Sequence, residues 1–479
     1  MLFNSLKFFL FLVPVYLLYL RLNHRWQNRL LLVASYVFYG SWDWRFLSLI
    51  LLTTTVDYFC ALNISRTENP VVRKRFLMLS IFSSLSILGF FKYFNFFAGN
   101  LGRLLNVFGI AADPFYLNII LPVGISFYTF QTMSYTIDVY RKALKPTDRF
   151  FDFALYVSFF PQLVAGPIER AVNLLPQVLK PRIVRLDKFY EGCFLIFWGL
   201  FLKAVIADNL AKVVETVYAV KVPPFNGMEV LFASYAFTFQ IYCDFAGYSH
   251  IARGLGKIMG FELMINFNLP FFVTNVQDFW NRWHISLSSW LRDYLYIPLF
   301  RGMRFLAGNV RVYAALMINM TVIGLWHGAG WNYILFGVYY GCLLCAYTFI
   351  RMHCQNWIVP KSGWGKALWY AARVVFMFQL ISIGMLLFRS INGASVALHM
   401  LSSVIFNFTM SENVVPMISK TVYFIWILLA VQVIQYRTKD VLCVYKAHPV
   451  WKVLFYVVCI FYFTVYGVTN GNQFIYFQF

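Results

Sequence analysis

The segment VYAALMINMTVIGLWHGAGWNYILFGVYYGCLLCAYTFI (312–350) decides the fold class. It consists of two apolar runs, at about 312–326 and 331–350, joined by a short glycine-rich stretch that contains His327. A helix needs roughly 20 apolar residues to cross the hydrocarbon layer of a membrane. Both runs are therefore predicted to be membrane spans, and His327 is predicted to lie at membrane depth.

The rest of the chain has the same character. Of its 479 residues, 61% are hydrophobic and only 12% are charged. A soluble domain of this composition would expose too much apolar surface, so the sequence predicts an all-α polytopic membrane protein. The formal net charge is +21, but the basic residues lie in short runs between apolar segments. That pattern is typical of the positive-inside rule, and the predicted partner of these charges is the lipid bilayer and not nucleic acid.

About 11–12 transmembrane helices are predicted within a single membrane domain, residues 1–479, whose motif-bearing core is about 117–350. Two further apolar stretches, at about 150–168 and 267–300, carry helix-breaking residues. Irregular backbone at membrane depth is tolerated where protein or a water-filled cavity surrounds it, so both are predicted to be re-entrant or amphipathic pieces. The predicted spans lie at about 8–20, 30–40, 45–63, 76–98, 117–138, 189–207, 228–250, 312–326, 331–350, 368–388, 420–436 and 450–466.

Lysine and arginine concentrate in loops such as 21–29, 65–75, 140–149 and 180–188, whereas the loops around 99–116, 208–227 and 390–419 are poorer in them. Because basic loops stay in the cytoplasm, the first group is predicted to be cytoplasmic and the second extracytoplasmic. Both termini are then predicted to be extracytoplasmic.

A first candidate for chemistry is VQDFWNRWHISLSSWLRDYLYIPL (276–299). Read as one helix, it places a polar stripe on one face, since residues three and four apart are neighbours. An interfacial helix with its stripe in water is the simple interpretation. The stripe is mostly neutral around one histidine, which equally favours a face turned towards a cavity. Its members are Gln277, Asn281, His284, Ser288 and Arg292.

The second candidate is His327. Ionising a group in the middle of a membrane costs on the order of 3 kcal/mol or more, so the imidazole is expected to be neutral and able to act as a general base. Gly324, Gly328 and Gly330 interrupt the helix pattern, and Trp326 and Trp331 are predicted to wall a passage beside it. The alternative is a structural histidine whose glycines allow close helix packing.

The third candidate is the segment 238–261, in which Gln240, Asp244 and Tyr248 recur every four residues and share a helical face. Asp244 is expected to pair with a basic residue. The glycines from Gly254 to Gly260 do not match a dinucleotide-binding fingerprint and predict small-residue packing or a turn near a ligand. The sequence shows no metal-ligand cluster, so no metal is expected.

Four motifs and the ending NQFIYFQF (472–479) together resemble the membrane-bound O-acyltransferase superfamily, within its bacterial branch for alginate O-acetylation and teichoic-acid D-alanylation. The resemblance covers nearly the whole chain and is stronger to the alginate subgroup. The motifs are FFPQLVAGPIER (159–170), QIYCDFAGYSHIARGLGKIMGF (240–261), DFWNRWHISLSSWLRDYLYIPL (278–299) and LWHGAGWNYILFG (325–337).

The resemblance implies helices around a central funnel and tunnel, in the cytoplasmic (inner) membrane of a bacterium. It implies that His327 is the catalytic base and that His284 occupies a second polar position, filled by Asn or Asp in other branches. Asn281, Ser288 and Asp244, with the two tryptophans, are then expected to support the donor tunnel. The donor is implied to be a cytosolic acyl thioester, acetyl-CoA in acetylating members, and no bound cofactor is expected.

Tyr476 is implied to be an acyl acceptor, because related systems carry a terminal tyrosine motif with that role. An aromatic anchor at the membrane interface is the alternative. The implied partners are a periplasmic or extracellular SGNH-type O-acetyltransferase and a polysaccharide. Peptidoglycan or teichoic acid remains an alternative acceptor, and a proton-coupled transporter is the alternative from another class.

Overall fold

The structure is a computed structural model that describes residues 1–111, 113, 115–164, 166–220, 222–354, 363–390, 393–468 and 474–475. These residues form helices and connecting loops, and no strand occurs among them. The all-α fold class predicted from the sequence is therefore confirmed.

Within the described ranges, eight helical stretches are long and apolar enough to cross a membrane. One of them, His24–Arg66, contains two of the predicted spans in a single continuous stretch. Leu6–Arg21 and Ile125–Tyr140 coincide with other predicted spans but have only 16 residues each. The protein is polytopic, as predicted. The eight are His24–Arg66, Pro70–Val107, Leu186–Tyr218, Gly308–His327, Trp331–His353, Gly363–Arg389, Val414–Thr438 and Pro449–Tyr466.

The chain divides into two compact units, of which the first comprises Met1–Ile196 and Ser249–Met264. Its helices pack mainly through Leu47–Arg66, which lies against both Pro70–Leu88 and Ile125–Tyr140. They are α1 (Leu6–Arg21), α2 (His24–Asp43), α3 (Leu47–Arg66), α4 (Pro70–Leu88), α5 (Phe94–Val107), α6 (Ile125–Tyr140), α7 (Phe150–Ser158), α8 (Phe160–Leu163), α9 (Ala171–Leu179) and the start of α10 (Leu186–Phe201).

Local sequence signals set several helix ends in this unit. Asn23 caps α2 by accepting the backbone N–H of Trp26, and Asn69 caps α4, where Pro70 occupies the first turn. Both are preferred cap chemistries. The glycines of 254–260 behave as predicted: a Cβ on Gly254 would lie 2.5 Å from the carbonyl oxygen of Gly192, so α10 and the helix that carries Gly254 pack through small residues.

The second unit comprises Phe197–Tyr248 and Ile265–Phe479, and Gly308–His327 and Trp331–His353 form a tightly packed helical hairpin within it. Its helices are α11 (Asp208–Tyr218), α12 (Gly227–Ile258) as far as Tyr248, α13 (Val276–Arg282), α14 (Ile285–Leu291), α15 (Ile297–Gly302), α16 (Gly308–His327), α17 (Trp331–His353), α18 (Gly363–Arg389), α19 (Ala394–Phe406), α20 (Val414–Thr438) and α21 (Pro449–Tyr466).

Several details differ from the sequence predictions. The loops predicted around 208–227 and 390–419 contain the helices α11 and α19. The span predicted at 117–138 becomes helical only at Ile125, because Pro122 and Gly124, whose φ is +74°, precede it. The irregular stretch at 150–168 is confirmed as two short helices interrupted at Phe159. The prediction of one domain with a core at 117–350 stays a prediction.

Candidate active site

The helix break in the segment 312–350 occurs at the glycines, as predicted. α16 ends at His327, Gly328 and Gly330 have extended backbone, and α17 begins at Trp331. A Cβ on Gly324 would lie 2.1 Å from the carbonyl oxygen of Tyr333, and one on Gly337 would lie 2.4 Å from that of Met320. The two backbones therefore touch, so the glycines serve close packing of α16 on α17, and that packing fixes the end of α16.

His327 lies in a box of aromatic rings and is only 4% exposed. Its ring centroid is 4.9 Å from that of Trp326, 5.7 Å from that of Phe336 and 5.1 Å from that of Phe388, each in an edge-to-face arrangement. The amide of Asn332 donates a 3.4 Å hydrogen bond to the carbonyl oxygen of Phe388 and so ties α17 to α18 beside the histidine. These rings exclude water from one side of the imidazole.

His284 does not lie within one continuous helix, and the predicted single polar stripe is wrong. α13 ends at Arg282, α14 begins at Ile285, and His284 between them adopts a left-handed backbone with φ +44° and ψ +53°. His284 is completely buried, whereas the other proposed stripe members Gln277, Asn281 and Arg292 are exposed. The helix break directs the histidine inwards while its helical neighbours keep their polar groups outside.

Asn266 holds this break in place from the preceding loop. Its carbonyl oxygen accepts the N–H of Ile285 at 2.9 Å, and its side-chain oxygen accepts the hydroxyl of Ser286 at 2.6 Å. The same hydroxyl lies 3.5 Å from Nδ1 of His284. Asn266 and Ser286 are each 1% exposed, so the hydrogen bonds operate away from bulk water, where they are strongest.

The two histidines meet at one indole. The ring of Trp326 is 5.9 Å from that of His284 and 4.9 Å from that of His327, and its side chain is buried. His284 also packs edge-to-face on Phe245 of α12 at 4.6 Å. The structure thus brings together two residues that are 43 positions apart in the sequence.

The supporting residues divide into two groups. Trp326 is part of the site, and Asp244 is buried in the same unit. Trp331 is 52% exposed, and the hydroxyl of Ser288 donates to the carbonyl oxygen of Trp283 at 3.0 Å. Asn281 is exposed as well.

Asp244 pairs with a basic residue, as predicted. Its carboxylate lies 2.7 Å from Nζ of Lys203, which also contacts the carboxylate of Asp208 at 2.9 Å. The Lys203 side chain is 2% exposed, and each carboxylate side chain is 4% exposed. A charged residue within an apolar span is a functional signal by default, and that signal was available for Lys203 inside the span predicted at 189–207.

Asn266, Phe245 and Phe388 also contribute to the site and were not predicted from the sequence. An asparagine in a loop or a phenylalanine in an apolar helix carries no periodic signal, so their roles follow only from tertiary contacts. Tyr476, the proposed acceptor, lies outside the described residues. Its neighbours Phe474 and Ile475 are described, and both are buried.

Taken together, the helices and the site define a polytopic membrane protein with a buried pair of histidines on a shared tryptophan. A model of the membrane-bound O-acyltransferase family matches residues 140–390, a range that contains both histidines. The chain belongs to this family and is a membrane O-acyltransferase. Family membership counts against the proton-coupled transporter alternative.

Curated relatives have related activities. The chain is 40% identical, over 82% of its length and 72% of the relative's, to a probable alginate O-acetylase AlgI of Pseudomonas aeruginosa. It is 36% identical, over 72% of its length and 70% of the relative's, to a peptidoglycan O-acetyltransferase of Helicobacter pylori. A teichoic acid D-alanyltransferase of Bacillus subtilis is 29% identical over 57% of this chain and 69% of the relative.

Proposed function

We propose that this enzyme transfers an acetyl group from acetyl-CoA, taken up on the cytoplasmic side, to a hydroxyl on the route to O-acetylation of an extracytoplasmic polysaccharide. Alginate is the proposed polysaccharide. The observation that carries the proposal is the burial of both imidazoles against the indole of Trp326. The name of the relative from Pseudomonas aeruginosa supports the acetyl group and the polymer.

In the proposed reaction, the neutral imidazole of His327 accepts the proton of a hydroxyl as its oxygen attacks the thioester carbonyl. A C–O bond forms, the C–S bond breaks, and the thiolate of coenzyme A leaves and takes up the proton from the imidazolium. The aromatic box around His327 keeps out the water that would otherwise hydrolyse the thioester. General-base catalysis of this kind contributes roughly 10²–10⁴-fold in rate.

His284 is assigned to the donor side, where it positions the thioester or stabilises the oxyanion. Asn281, which the resemblance assigns to the donor tunnel, is the alternative for this role. Burial favours His284, because a hydrogen bond to a developing charge is worth more in a dry site than at an exposed position. The fixed backbone at the break between α13 and α14 supports the same assignment, since preorganised donors need no rearrangement during the reaction.

The acceptor is proposed to be Tyr476, which passes the acetyl group to an SGNH-type transferase outside the membrane, and that partner modifies the polysaccharide. This route matches the predicted orientation, with basic loops in the cytoplasm, both termini outside and the chain in the cytoplasmic membrane of a bacterium. Single introduced cysteines at position 5 and in the loop 65–75 test the orientation by their reactivity towards an impermeant maleimide on intact cells.

Donor consumption by the purified protein in detergent tests the reaction. We expect release of coenzyme A from acetyl-CoA and little turnover of a D-alanyl thioester on a carrier protein. Preference for the D-alanyl thioester would overturn the acetyl assignment and favour teichoic acid as the polymer. Release unaffected by His327→Ala would overturn the catalytic assignment.

Mass spectrometry of the peptide that contains Tyr476 tests the acceptor. Incubation with acetyl-CoA is expected to add one acetyl group to the tyrosine in the parent protein and none in Tyr476→Phe. Measurable turnover without that adduct, in the absence of a partner protein, would contradict the carrier role.

A further inference from the structure

The buried ion cluster of the second unit consists of Lys203, Asp208 and Asp244. Nζ of Lys203 contacts both carboxylates, at 2.9 and 2.7 Å. Two carboxylates and one ammonium leave one formal negative charge in a region without bulk water. Burying such a charge is costly unless further hydrogen-bond donors reach it.

One such donor comes from residues far along the chain. The backbone N–H of Ile475 donates a 2.8 Å hydrogen bond to the second carboxylate oxygen of Asp244. Ile475 is 4% exposed and Phe474 is fully buried. The segment 474–475 therefore contributes a donor to the cluster, and the cluster in turn anchors the segment.

Aromatic packing reinforces this anchor. The ring of Phe474 lies 4.6 Å from that of Tyr248 and 5.6 Å from that of Phe245, both on α12. Earlier in the same region, the N–H of Val468 donates to the carbonyl oxygen of Ala204 at 3.1 Å, one residue from Lys203. Backbone and side-chain contacts thus bind residues 468 and 474–475 to the same part of the second unit.

Phe245 connects the anchored segment to the active site. The ring of Phe245 packs on both His284 and Phe474, with centroid distances of 4.6 Å and 5.6 Å. A single phenylalanine therefore separates the segment 474–475 from the imidazole assigned to the donor. Tyr476, the proposed acceptor, follows Ile475 in the sequence.

We propose that Asp244 is a positioning residue: with Lys203 it docks the segment 474–475 beside Phe245 and His284, and this docking is required for acyl transfer to Tyr476, the proposed acceptor. The part of this proposal that concerns acyl transfer to Tyr476 rests on the proposed function. Docking itself is a structural event that can be measured with no acyl donor present.

Cysteine labelling measures the docking directly. In Ile475→Cys the backbone N–H remains, and labelling of this cysteine by a maleimide is followed by mass spectrometry of its peptide, so that the native cysteines do not interfere. We expect slow labelling in this background and labelling about tenfold faster or more when Asp244→Ala is added, because a hydrogen bond to a charged group is lost.

Asp208→Ala is the matched control. It also removes one carboxylate from Lys203, but Asp208 is not the acceptor of the Ile475 N–H. Labelling should therefore stay slow. Equal labelling rates in the Asp244→Ala and Asp208→Ala proteins, whether both slow or both fast, would overturn the proposal, since the first outcome shows no docking by Asp244 and the second a general loosening of the cluster.

Phe474→Ala provides a second route if Asp244→Ala does not fold. It removes the packing on Phe245 and Tyr248 and leaves all three charged residues unchanged, so faster labelling of Ile475→Cys is again expected. Labelling as slow as in the background would count against docking of this segment.

Kinetics then separate positioning from a merely structural role. In Asp244→Asn, acetylation of Tyr476 should fall about tenfold or more in kcat while the KM for acetyl-CoA stays unchanged, because the donor site retains both histidines. A raised KM with unchanged kcat would overturn the positioning role. If labelling responds as expected but no variant, including the parent, acetylates Tyr476, the docking stands and the proposed function fails.

Discussion

His284 and His327 lie against the same indole, that of Trp326, which contacts the first imidazole at 5.9 Å and the second at 4.9 Å between ring centroids. The two histidines reach this tryptophan by different means. His327 ends a helix that glycines hold against its neighbour, and His284 occupies a break between two short helices. The glycine contacts that position His327 and the helix break that positions His284 can be tested separately.

His327→Ala should lower the rate of acetyl transfer by about 10²–10⁴-fold, because the general base is lost. The melting temperature in detergent should fall, because loss of the buried imidazole leaves a cavity among three aromatic rings, but the backbone contacts between α16 and α17 do not involve the imidazole and should hold the fold. His353→Ala is the control. This histidine is exposed at the end of α17, and its removal should leave the rate within twofold or so.

The effect of a substitution at His284 should depend on the backbone preference of the new residue as well as on its chemistry. Its left-handed conformation is tolerated by asparagine and strongly disfavoured for β-branched residues. His284→Asn should therefore fold with nearly the parental melting temperature, while His284→Val should lower the free energy of unfolding by about 1–3 kcal/mol. Equal melting temperatures for the two variants would show that the backbone at this break is not constrained.

The acetyl-transfer activities of His284→Asn and His284→Val provide a separate test. Asparagine retains a hydrogen-bond donor, so His284→Asn should keep measurable transfer, and valine should abolish it. The resemblance places Asn or Asp at this position in other branches of the family, and the left-handed backbone gives a physical reason, because these residues tolerate that conformation and can still form hydrogen bonds.

Asn266→Ala should destabilise the break between α13 and α14 by removing a side-chain acceptor in the preceding loop. It leaves the buried hydroxyl of Ser286 without the acceptor seen here, which costs about 1–3 kcal/mol, and frees the segment that carries His284. Thermal unfolding and acetyl transfer should both show the loss. Asn63→Ala is the comparison: the Asn63 amide donates to a carbonyl of its own helix, and a change within about 0.5 kcal/mol is expected.

Gly324→Ala should separate α16 from α17, because the added Cβ would lie 2.1 Å from the carbonyl oxygen of Tyr333. Overpacking of this kind costs about 1–3 kcal/mol, and displacement of His327 should reduce transfer more than tenfold. Gly308→Ala, on the same helix, meets no atom within 4 Å and serves as the control. Parental activity in Gly324→Ala would show that helix contact does not position His327.

Much of the fold could be predicted because membrane spans carry a strong local signal. The runs at 312–326 and 331–350 are helical as predicted, and the glycines between them mark the turn that leaves His327 at a helix end. Breaks at Pro122 and at Phe159 likewise follow from local chemistry, although the first of them lies inside a predicted span.

The polar stripe of 276–299 shows where periodicity is insufficient. Spacings of three and four predict one face of one helix, yet the left-handed backbone of His284 ends that regularity and separates it from Asn281 and Ser288. Nothing in the local sequence requires this conformation. Hydrogen bonds that Asn266, 18 positions away, accepts from Ile285 and Ser286 stabilise it, and no local sequence pattern reveals such contacts.

The sequence by itself determined the class of fold, the location of the spans and the two histidines, because apolar length, charge and helix-breaking residues act locally. Only the tertiary structure decided that both histidines share Trp326, that Asp244 pairs with Lys203 and that the segment 474–475 lies beside Phe245. Those relationships depend on the packing of helices that are distant in the chain, where burial and hydrogen-bond satisfaction select the contacts.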